Sequence, residues 1–201
     1  MKSENKNGTF MDCIDRKYYS LASQILGEKS LVIPLPNIGR QVNSYIEKIK
    51  PSLIILSGGN DLSCVPYPIN KDSKRDLTET QLLKASFGIP VIGICRGMQI
   101  ISTFFGSKLT EVQGHIASNH RVHSLIRGDK STKLHTNSFH KWGIREDDLS
   151  KELVPIHVYE NTIESFKHKT NPWLGVMWHP ERSNQNSKSR LWVKNEISKY
   201  L

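Results

Sequence analysis

The sequence has only three cysteines among 201 residues, Cys13, Cys64 and Cys95. An odd and sparse set does not build a disulfide framework, so at least one thiol is expected to be free in a reduced cytoplasm. The leading segment MKSENKNGTF lacks the apolar core of a signal peptide, and the chain lacks the 18-residue apolar run of a membrane helix. We therefore expect a cytoplasmic protein without a membrane segment.

Glycine and proline are not enriched either, with 13 and 9 residues, which argues against a largely disordered chain. The 37% of hydrophobic residues can fill a sizeable core, and the length suits one α/β domain over residues 1–201. The formal net charge of +9 leaves two interpretations open, a solvated basic surface or attraction of an anionic ligand. Nucleic acid is not expected as a partner, because the basic residues are scattered and no nucleic-acid-binding signature is present.

Apolar runs alternate with amphipathic stretches along most of the chain. Helical periodicity predicts five helices: Asp12 to Leu26, Arg40 to Ile49, Ser73 to Phe87, Arg96 to Phe105 and Ser187 to Tyr200. Apolar runs predict four strands: Ser30 to Pro36, Ser52 to Ser57, Ile89 to Ile94 and Leu174 to Trp178. The segments RVHSLIRG, TKLHTNS and LVPIHVYE resemble short, half-exposed antiparallel strands. The prediction is an α/β fold, a mostly parallel sheet flanked by helices with a small, partly antiparallel section.

One cysteine lies in the stretch GICRGMQ, from Gly93 to Gln99, directly after an apolar run. The pattern G-I-C-R-G around Cys95 has the G-x-nucleophile-x-G form of a sharp strand-to-helix turn, with Cys in place of Ser. Such a turn exposes the side chain at the carboxyl end of the sheet, where the following helix N-terminus favours a thiolate and an oxyanion. Taken alone, the motif is equally compatible with a structural cysteine.

Two further motifs also follow predicted buried strands. SGGND (Ser57 to Asp61) has consecutive glycines that suit a backbone turning its N–H groups toward a ligand, although an ordinary turn would look the same. In WHPE (Trp178 to Glu181), a carboxylate two residues after a histidine can orient the imidazole, which can then take a thiol proton. All three motifs lie where open α/β sheets place their sites, at the carboxyl ends of parallel strands.

The ordered set SGGND, GICRGMQ and WHPE resembles that of class I glutamine amidotransferase-like hydrolases. The resemblance extends from Leu35 to Arg182, and the CRG and HTNSFH (His135 to His140) segments are most similar to the γ-glutamyl hydrolase branch. That branch includes γ-glutamyl-GABA hydrolases and the γ-glutamyl-CDP-amidate hydrolases of capsule biosynthesis. The resemblance implies a flavodoxin-like fold, a small-molecule γ-glutamyl substrate and no metal or organic cofactor, and it leaves a homodimer open.

The resemblance also implies roles for matching residues. Cys95 would be the nucleophile, His179 the base and then the acid, and Glu181 the partner that orients the imidazole. Backbone N–H groups of Gly59 and Arg96 would form the oxyanion hole. The glutamyl group would be held by Gln99 and by the backbone around Asn137, Ser138, Phe139 and His140. Arg16, on the first helix, is a further candidate substrate contact, and the Arg96 side chain is left open between substrate contact and a structural salt bridge.

The N-terminal residues and a group of histidines lead to two further predictions. Relatives usually begin with a strand, whereas here only polar residues precede the predicted first helix, so that strand is expected to be absent or to be encoded further upstream. The histidines of GHIASNHRVH, namely His115, His120 and His123, have a spacing that suggests a metal site. No cysteine or carboxylate cluster completes such a site in the sequence, so we expect packing or hydrogen bonding instead.

The resulting hypothesis is a cysteine-dependent hydrolase that cleaves a γ-glutamyl amide and releases glutamate. The positive charge favours an anionic leaving group, such as a nucleotide phosphoramidate, and a γ-glutamyl-GABA-type amide is the alternative. Two rival functions stay open: a glutaminase subunit that supplies ammonia to a synthase, and an inactive γ-glutamyl-binding regulatory protein.

Overall fold

Three short apolar segments form the parallel centre of the sheet. In the computed structural model, which describes residues 1–126 and 133–201, these strands are β3 (Ile54–Leu56), β4 (Val91–Ile94) and β11 (Trp173–Val176). Strand β4 pairs in parallel with both of the others and is buried along its whole length. A strand covered on both faces must be apolar at every position, which is why these segments read as continuous hydrophobic runs.

Four longer strands extend the sheet by antiparallel pairing. They are β6 (Ile116–Ser124), β7 (Lys133–Phe139), β9 (Leu153–Tyr159) and β10 (Thr162–His168). The strand order in the seven-stranded sheet is β3-β4-β11-β10-β9-β6-β7. The predicted α/β fold with its antiparallel section is confirmed, and that section is larger than expected. Residues 127, 128 and 132 of the predicted strands lie outside the described residues.

Helices cover both faces of the sheet. They are α1 (Lys17–Leu26), α2 (Val42–Ile49), α3 (Ser73–Ala85), α4 (Arg96–Phe104) and α5 (Lys188–Ile197). Residues of β4 belong to two hydrophobic core clusters, one on each face of the sheet. Val91 packs in the cluster with α2, α3 and α4, whereas Ile92 and Ile94 pack in the cluster with α1 and α5. None of the helices in the described residues has the length and apolar character that crossing a membrane requires.

The N-terminal residues differ from the prediction. Strands β1 (Lys2–Lys6) and β2 (Thr9–Cys13) form an antiparallel hairpin that is separate from the central sheet. The first helix therefore begins at Lys17 rather than at Asp12. The side chain of Asp15 accepts a hydrogen bond of 2.9 Å from the Lys17 N–H and so satisfies one of the free donors at the helix start.

A second difference concerns the segment Ser30 to Pro36, which forms no strand. Pro34 and Pro36 cannot donate to a sheet ladder, and Leu31 and Ile33 are exposed. A further small sheet pairs β5 (Thr110–Glu111) with β8 (Trp142–Gly143). The hairpin and these connections frame the carboxyl ends of β3, β4 and β11, where the three sequence motifs meet.

Candidate active site

The turn between β4 and α4 holds Cys95 in an unusual backbone conformation. Its φ of 52° and ψ of −105° cost conformational energy for a residue with a side chain, and such strain is typical of a nucleophile elbow. The Cys95 N–H donates to the carbonyl of Val176 at 2.8 Å, and its own carbonyl accepts from Gln99 at 3.0 Å. These bonds fix the thiol, which is buried, at the first turn of α4.

The glycines on either side of Cys95 are required by close packing. A Cβ at Gly97 would collide with the carbonyl of Leu56 in β3, and a Cβ at Gly93 would collide with the backbone of Gly97. Helix α4 therefore lies against the sheet at a distance that only glycine permits. This confirms the interpretation that small flanking residues let neighbouring segments approach closely.

The histidine and glutamate of WHPE form a short, buried pair. His179 Nδ1 lies 2.6 Å from Glu181 Oε1, across a 3-10 turn that Pro180 begins. The other ring nitrogen of His179 is left for the thiol. A Cβ placed on Gly58 would lie 2.7 Å from His179 Cε1 and 3.6 Å from Cys95 Cβ, so both side chains border the same small space.

The charge state of His179 follows from these neighbours. Burial lowers the pKa of an imidazole, but the hydrogen bond and charge of Cys95, and then those of Glu181, outweigh burial and raise the pKa of His179 to about 9. The imidazolium is therefore the favoured form at neutral pH. An imidazolium beside a thiol stabilises the thiolate, which is the nucleophilic form of cysteine.

The backbone of His179 is held by an amide side chain from β7. Asn137 Oδ1 accepts a hydrogen bond of 2.8 Å from the His179 N–H, and Asn137 Nδ2 donates to the His179 carbonyl at 3.0 Å. The ring of Phe139 meets the imidazole edge-on at 5.9 Å. Asn137 and Phe139, whose backbone is predicted to hold substrate, thus also contact His179, the proposed base.

The other predicted glutamyl-binding residues have side chains engaged within the protein. Ser138 Oγ donates to the carbonyl of His115 at 2.7 Å. Gln99 Nε2 and His140 Nδ1 both contact the carbonyl of Trp142, at 2.8 and 3.1 Å. Contact of Gln99 and of the backbone from 137 to 140 with a glutamyl group stays a prediction.

The SGGND loop is oriented by a buried arginine that the sequence analysis missed. Arg75 Nη2 donates to the carbonyls of Ser57 and Gly58, at 2.7 and 3.1 Å. In a trans peptide the C=O and the following N–H point in opposite directions, so the Gly59 N–H points away from Arg75. Gly59 has a φ of +129°, which a residue with a side chain rarely adopts.

The side chain of Arg96 is structural. It is 1% exposed and forms ion pairs with Glu79 and Asp76, both on α3. Glu79 also accepts a hydrogen bond of 2.8 Å from Arg75, so one carboxylate joins the arginine under the SGGND loop to the arginine at the elbow. Of the two alternatives left open for this side chain, the salt bridge is confirmed, which removes it as a substrate contact.

Tyr18 and Arg16 lie at the edge of the site. Tyr18 is buried on α1, and its hydroxyl accepts a hydrogen bond of 2.9 Å from the Gly58 N–H. Burial and the nearby charge of Glu181 raise the pKa of Tyr18 well above its ordinary value, so the phenol stays protonated. Arg16 lies one residue before α1 with its side chain exposed, and its contact with substrate stays a prediction.

The missed residues left weak signals in the sequence. Arg75 and Glu79 are four residues apart on one face of α3, the face that also buries Leu82 and Leu83. Charges that share a face with core leucines indicate a buried ion pair. Tyr18 likewise shares a face with Leu21, yet neither pattern indicates which loop it supports.

Comparisons with known proteins agree with this geometry. The chain is 38% identical over 155 residues to the γ-glutamyl-CDP-amidate hydrolase of Campylobacter jejuni, covering 75% of this chain and 72% of that protein. It is 33% identical over 160 residues to the carbamoyl phosphate synthase small chain of Aquifex aeolicus, covering 78% of this chain but only 39% of that one.

Solved structures share the fold. A GMP synthase subunit from Thermoplasma acidophilum superposes with a TM-score of 0.70 at 16% identity, covering 92% of this chain and 86% of that one. A glutamine amidotransferase of Thermotoga maritima gives a TM-score of 0.54 at 19% identity, covering 85% and 68%. The family model described as glutamine amidotransferase class-I matches residues 9–198. The chain belongs to the class-I glutamine amidotransferase family.

Proposed function

We propose that this protein hydrolyses a γ-glutamyl amide through a cysteine nucleophile and releases glutamate. The observation that carries the proposal is the strained Cys95 beside an imidazole whose far nitrogen lies 2.6 Å from Glu181. A thiol, a base and an orienting carboxylate in this order form a nucleophilic triad.

The reaction proceeds in two halves. The Cys95 thiolate attacks the γ-carbonyl carbon, and a C–S bond forms while the carbonyl oxygen becomes an oxyanion. The N–H groups of Gly59 and Arg96 donate to that oxyanion. The C–N bond then breaks, and the leaving nitrogen takes the proton of the His179 imidazolium. Water, deprotonated by His179, attacks the thioester carbonyl, and the C–S bond breaks. Glutamate leaves, and the Cys95 thiolate and the His179 imidazolium are restored.

The leaving group is proposed to be anionic, as in a nucleotide-linked phosphoramidate. The 38% identity to a γ-glutamyl-CDP-amidate hydrolase supports this choice. A cavity of about 520 Å³ beside Glu181 is the proposed place for the anion, although Cys95 and His179 are not among the described residues that line it. Lys17, Arg182 and Arg190 are among the residues that line this cavity. Arg190 is engaged by Gln24, Ser20 and the Ser183 carbonyl. Lys17 and Arg182 are exposed and are the cations that an anion would meet, although Arg182 also contacts Glu181 at 3.6 Å. A role in capsule biosynthesis stays a prediction.

The test is a panel of γ-glutamyl amides, comprising the CDP-amidate, the GABA amide and glutamine, with glutamate release measured for the purified protein. We expect the CDP-amidate to have the highest kcat/KM. Cys95→Ala should lose on the order of 10⁶ in activity and keep its fold, as judged by circular dichroism. Activity of Cys95→Ala within about tenfold of wild type would contradict the triad, since nucleophile loss is far more costly.

The glutaminase alternative rests on the similarity to carbamoyl phosphate synthase small chains. Glutamine turnover by the purified protein that exceeds turnover of every larger amide would favour it. A regulatory protein without activity would bind an electrophilic glutamine analogue without forming a covalent adduct. Intact mass spectrometry of wild type and Cys95→Ala separates that case from the proposed enzyme.

A further inference from the structure

Three histidines and a glutamate converge in the antiparallel half of the sheet. His115 lies just before β6, His120 within it, His140 just after β7, and Glu164 on β10. All four residues are buried, and Glu164 is 0% exposed. One ligand nitrogen from each histidine lies within 4.8 Å of the other two.

The spacing of the polar atoms matches a coordination shell. His115 Nδ1 and His140 Nε2 are 3.1 Å apart, and Glu164 Oε1 lies 3.4 and 3.5 Å from them. A zinc ion with bonds of about 2.0–2.1 Å requires tetrahedral ligand atoms roughly 3.3 Å apart. His115 Nδ1, His140 Nε2 and Glu164 Oε1 are therefore already separated by about the distances that tetrahedral zinc ligands require.

The cluster is not satisfied by protein groups alone. Within the described residues, both oxygens of Glu164 and the Nε2 of His120 are buried without a hydrogen-bond partner. Buried carboxylates are costly unless they are hydrogen-bonded, paired or bound to a metal. In the same part of the chain, the ion-pair contacts of Glu164 are the two imidazoles of His115 and His140. A divalent cation would satisfy all of these atoms at once.

The surroundings orient two of the rings as ligands. The carbonyl of Trp142 lies 3.1 Å from His140 Nδ1, and a carbonyl can only accept, so Nδ1 carries the proton. A neutral His140 then presents the lone pair of Nε2 to the cluster. Metal-bound histidines commonly donate their other N–H to a backbone carbonyl in this way. The ring of His120 is fixed by stacking on Tyr159, with centroids 4.0 Å apart.

A metal-free cluster of hydrogen-bonded histidines accounts for fewer of these buried polar atoms than a metal site does. A bond between His115 and His140 satisfies that pair, but it leaves Glu164 with only its 3.4 and 3.5 Å contacts to the same two rings and leaves His120 Nε2 without a hydrogen-bond partner in the described residues. An anionic ligand would be repelled by the carboxylate. We infer that His115, His120, His140 and Glu164 bind a Zn²⁺ ion that cross-links β6, β7 and β10.

The chemistry of the donors favours zinc. Three imidazoles and one carboxylate suit zinc, whereas Mg²⁺ and Ca²⁺ take oxygen donors. Three imidazoles form the group within 4.8 Å, and Glu164, beside His115 and His140, is the proposed fourth ligand of a structural zinc site. The inference does not depend on the proposed hydrolase activity. His123, grouped with His115 and His120 in the sequence analysis, is exposed and outside the cluster. His140 and Glu164 take its place, and they come from strands that only the fold brings together.

The test is zinc binding by chelator-treated protein, measured as bound metal per chain after equilibrium dialysis against Zn²⁺ alone. We expect one zinc per chain in wild type. His120→Gln and Glu164→Gln should bind at least about tenfold more weakly. His123→Gln, on the same strand, is the matched control and should bind like wild type. Zinc should also raise the Tm of wild type and of His123→Gln more than that of the two ligand variants.

Cys95→Ser separates this site from the catalytic pair, because a thiolate and an imidazole can also take zinc. The variant should keep its zinc, and Co²⁺ in wild type should give a tetrahedral spectrum without a thiolate charge-transfer band. Should Glu164→Gln not fold, His120→Gln and the cobalt spectrum carry the test. Less than about 0.1 zinc per chain in wild type, loss of zinc in Cys95→Ser, or wild-type binding by the folded ligand variants would overturn the inference, since structural zinc sites bind stoichiometrically.

Discussion

Arg75 Nη2 lies 3.1 Å from the carbonyl oxygen of Gly58, on a guanidinium that is fully buried. The contact orients the peptide whose N–H belongs to Gly59, one of the two donors proposed for the oxyanion. A backbone donor has no side chain to hold it in place, so its direction depends on what binds the carbonyl of the same peptide. We therefore expect Arg75 to be a positioning residue that acts on the proposed reaction through Gly59.

The first prediction follows from this contact. Arg75→Gln should lower kcat about 10²–10³-fold, the usual effect of losing one oxyanion donor, with little change in KM. Arg75→Lys should retain part of the activity, because it keeps the charge but not the planar fork. Lys74→Gln, an exposed neighbour on α3, is the control and should behave like wild type. A rise in KM with unchanged kcat would show that Arg75 supports the bound substrate and the transition state equally, which contradicts a role through the oxyanion.

The second prediction separates the two partners of Cys95. Glu181→Gln should reduce kcat/KM less than His179→Ala, because the carboxylate orients and stabilises the imidazole while the imidazole moves protons. Both variants should be measured on the same γ-glutamyl amide, with folding checked by thermal unfolding. Equal losses in the two variants would mean that this division of roles is wrong.

The third prediction concerns pH. Because the pKa of His179 is raised to about 9 in the folded protein, kcat/KM should fall above about pH 9, when the imidazolium loses the proton that the leaving nitrogen needs. Glu181→Gln should move this alkaline limb to lower pH. In Cys95→Ala, NMR titration should give a lower His179 pKa than in wild type, because the thiol contributes to the rise. An unchanged His179 pKa in that variant would show that Cys95 does not contribute to the raised pKa and would contradict the prediction.

The same pKa has a consequence for stability. A histidine with a folded-state pKa above its ordinary value of 6.5 stabilises the protein fully below that pH, and the contribution is lost as pH rises toward 9. Wild type should therefore lose more stability than Cys95→Ala between pH 6.5 and 9. Urea unfolding at a series of pH values measures this difference.

The fourth prediction concerns the leaving group. Salt screens charges over about 8 Å at physiological ionic strength, so kcat/KM for a nucleotide-linked γ-glutamyl phosphoramidate should fall as salt rises. A neutral γ-glutamyl amide should respond little. Lys17→Gln and Arg182→Gln should weaken the salt response, and Lys84→Gln, exposed on α3, is the control.

Arg182 Nε lies 3.6 Å from Glu181, so Arg182→Gln could disturb the proposed triad itself. The neutral amide is the control for this effect. Activity lost on both substrates would report on Glu181 rather than on substrate charge. Faster turnover of the neutral amide at every ionic strength would refute an anionic leaving group. The net charge of +9 would then serve only solubility.

The catalytic motifs were readable from the sequence because their geometry is local. An apolar run followed by glycine and cysteine specifies a strand, a turn and a helix start within a dozen residues, as Cys95 does. His179 and Glu181 need only one turn between them. The roles of all three residues stay predictions until the substrate panel is measured.

The supporting groups were not readable, because their partners are distant in the chain. Arg96 binds carboxylates on α3, and Glu164 meets His115 and His140 only once the antiparallel strands have paired. The N-terminal hairpin was missed for a different reason. Its residues are mostly polar, so the sequence shows no alternation of apolar residues that would predict strands. The backbone of Ser3 is instead hydrogen-bonded to the side chain of Asn60, which is distant in the chain.

The parallel pairing of β4 with β11 also has a consequence for folding. Trp173, the first residue of β11, donates a hydrogen bond to the carbonyl of Ile89, two residues before β4, across 84 positions of the chain. Closing so long a loop is entropically costly, and such parallel pairings form slowly in folding. Cys95 and His179, the proposed nucleophile and base, follow the far ends of the same two strands, so we expect a nascent chain to carry the thiol without this base until β11 docks. We therefore expect assembly of the sheet to be the step that brings the proposed base to the Cys95 thiol.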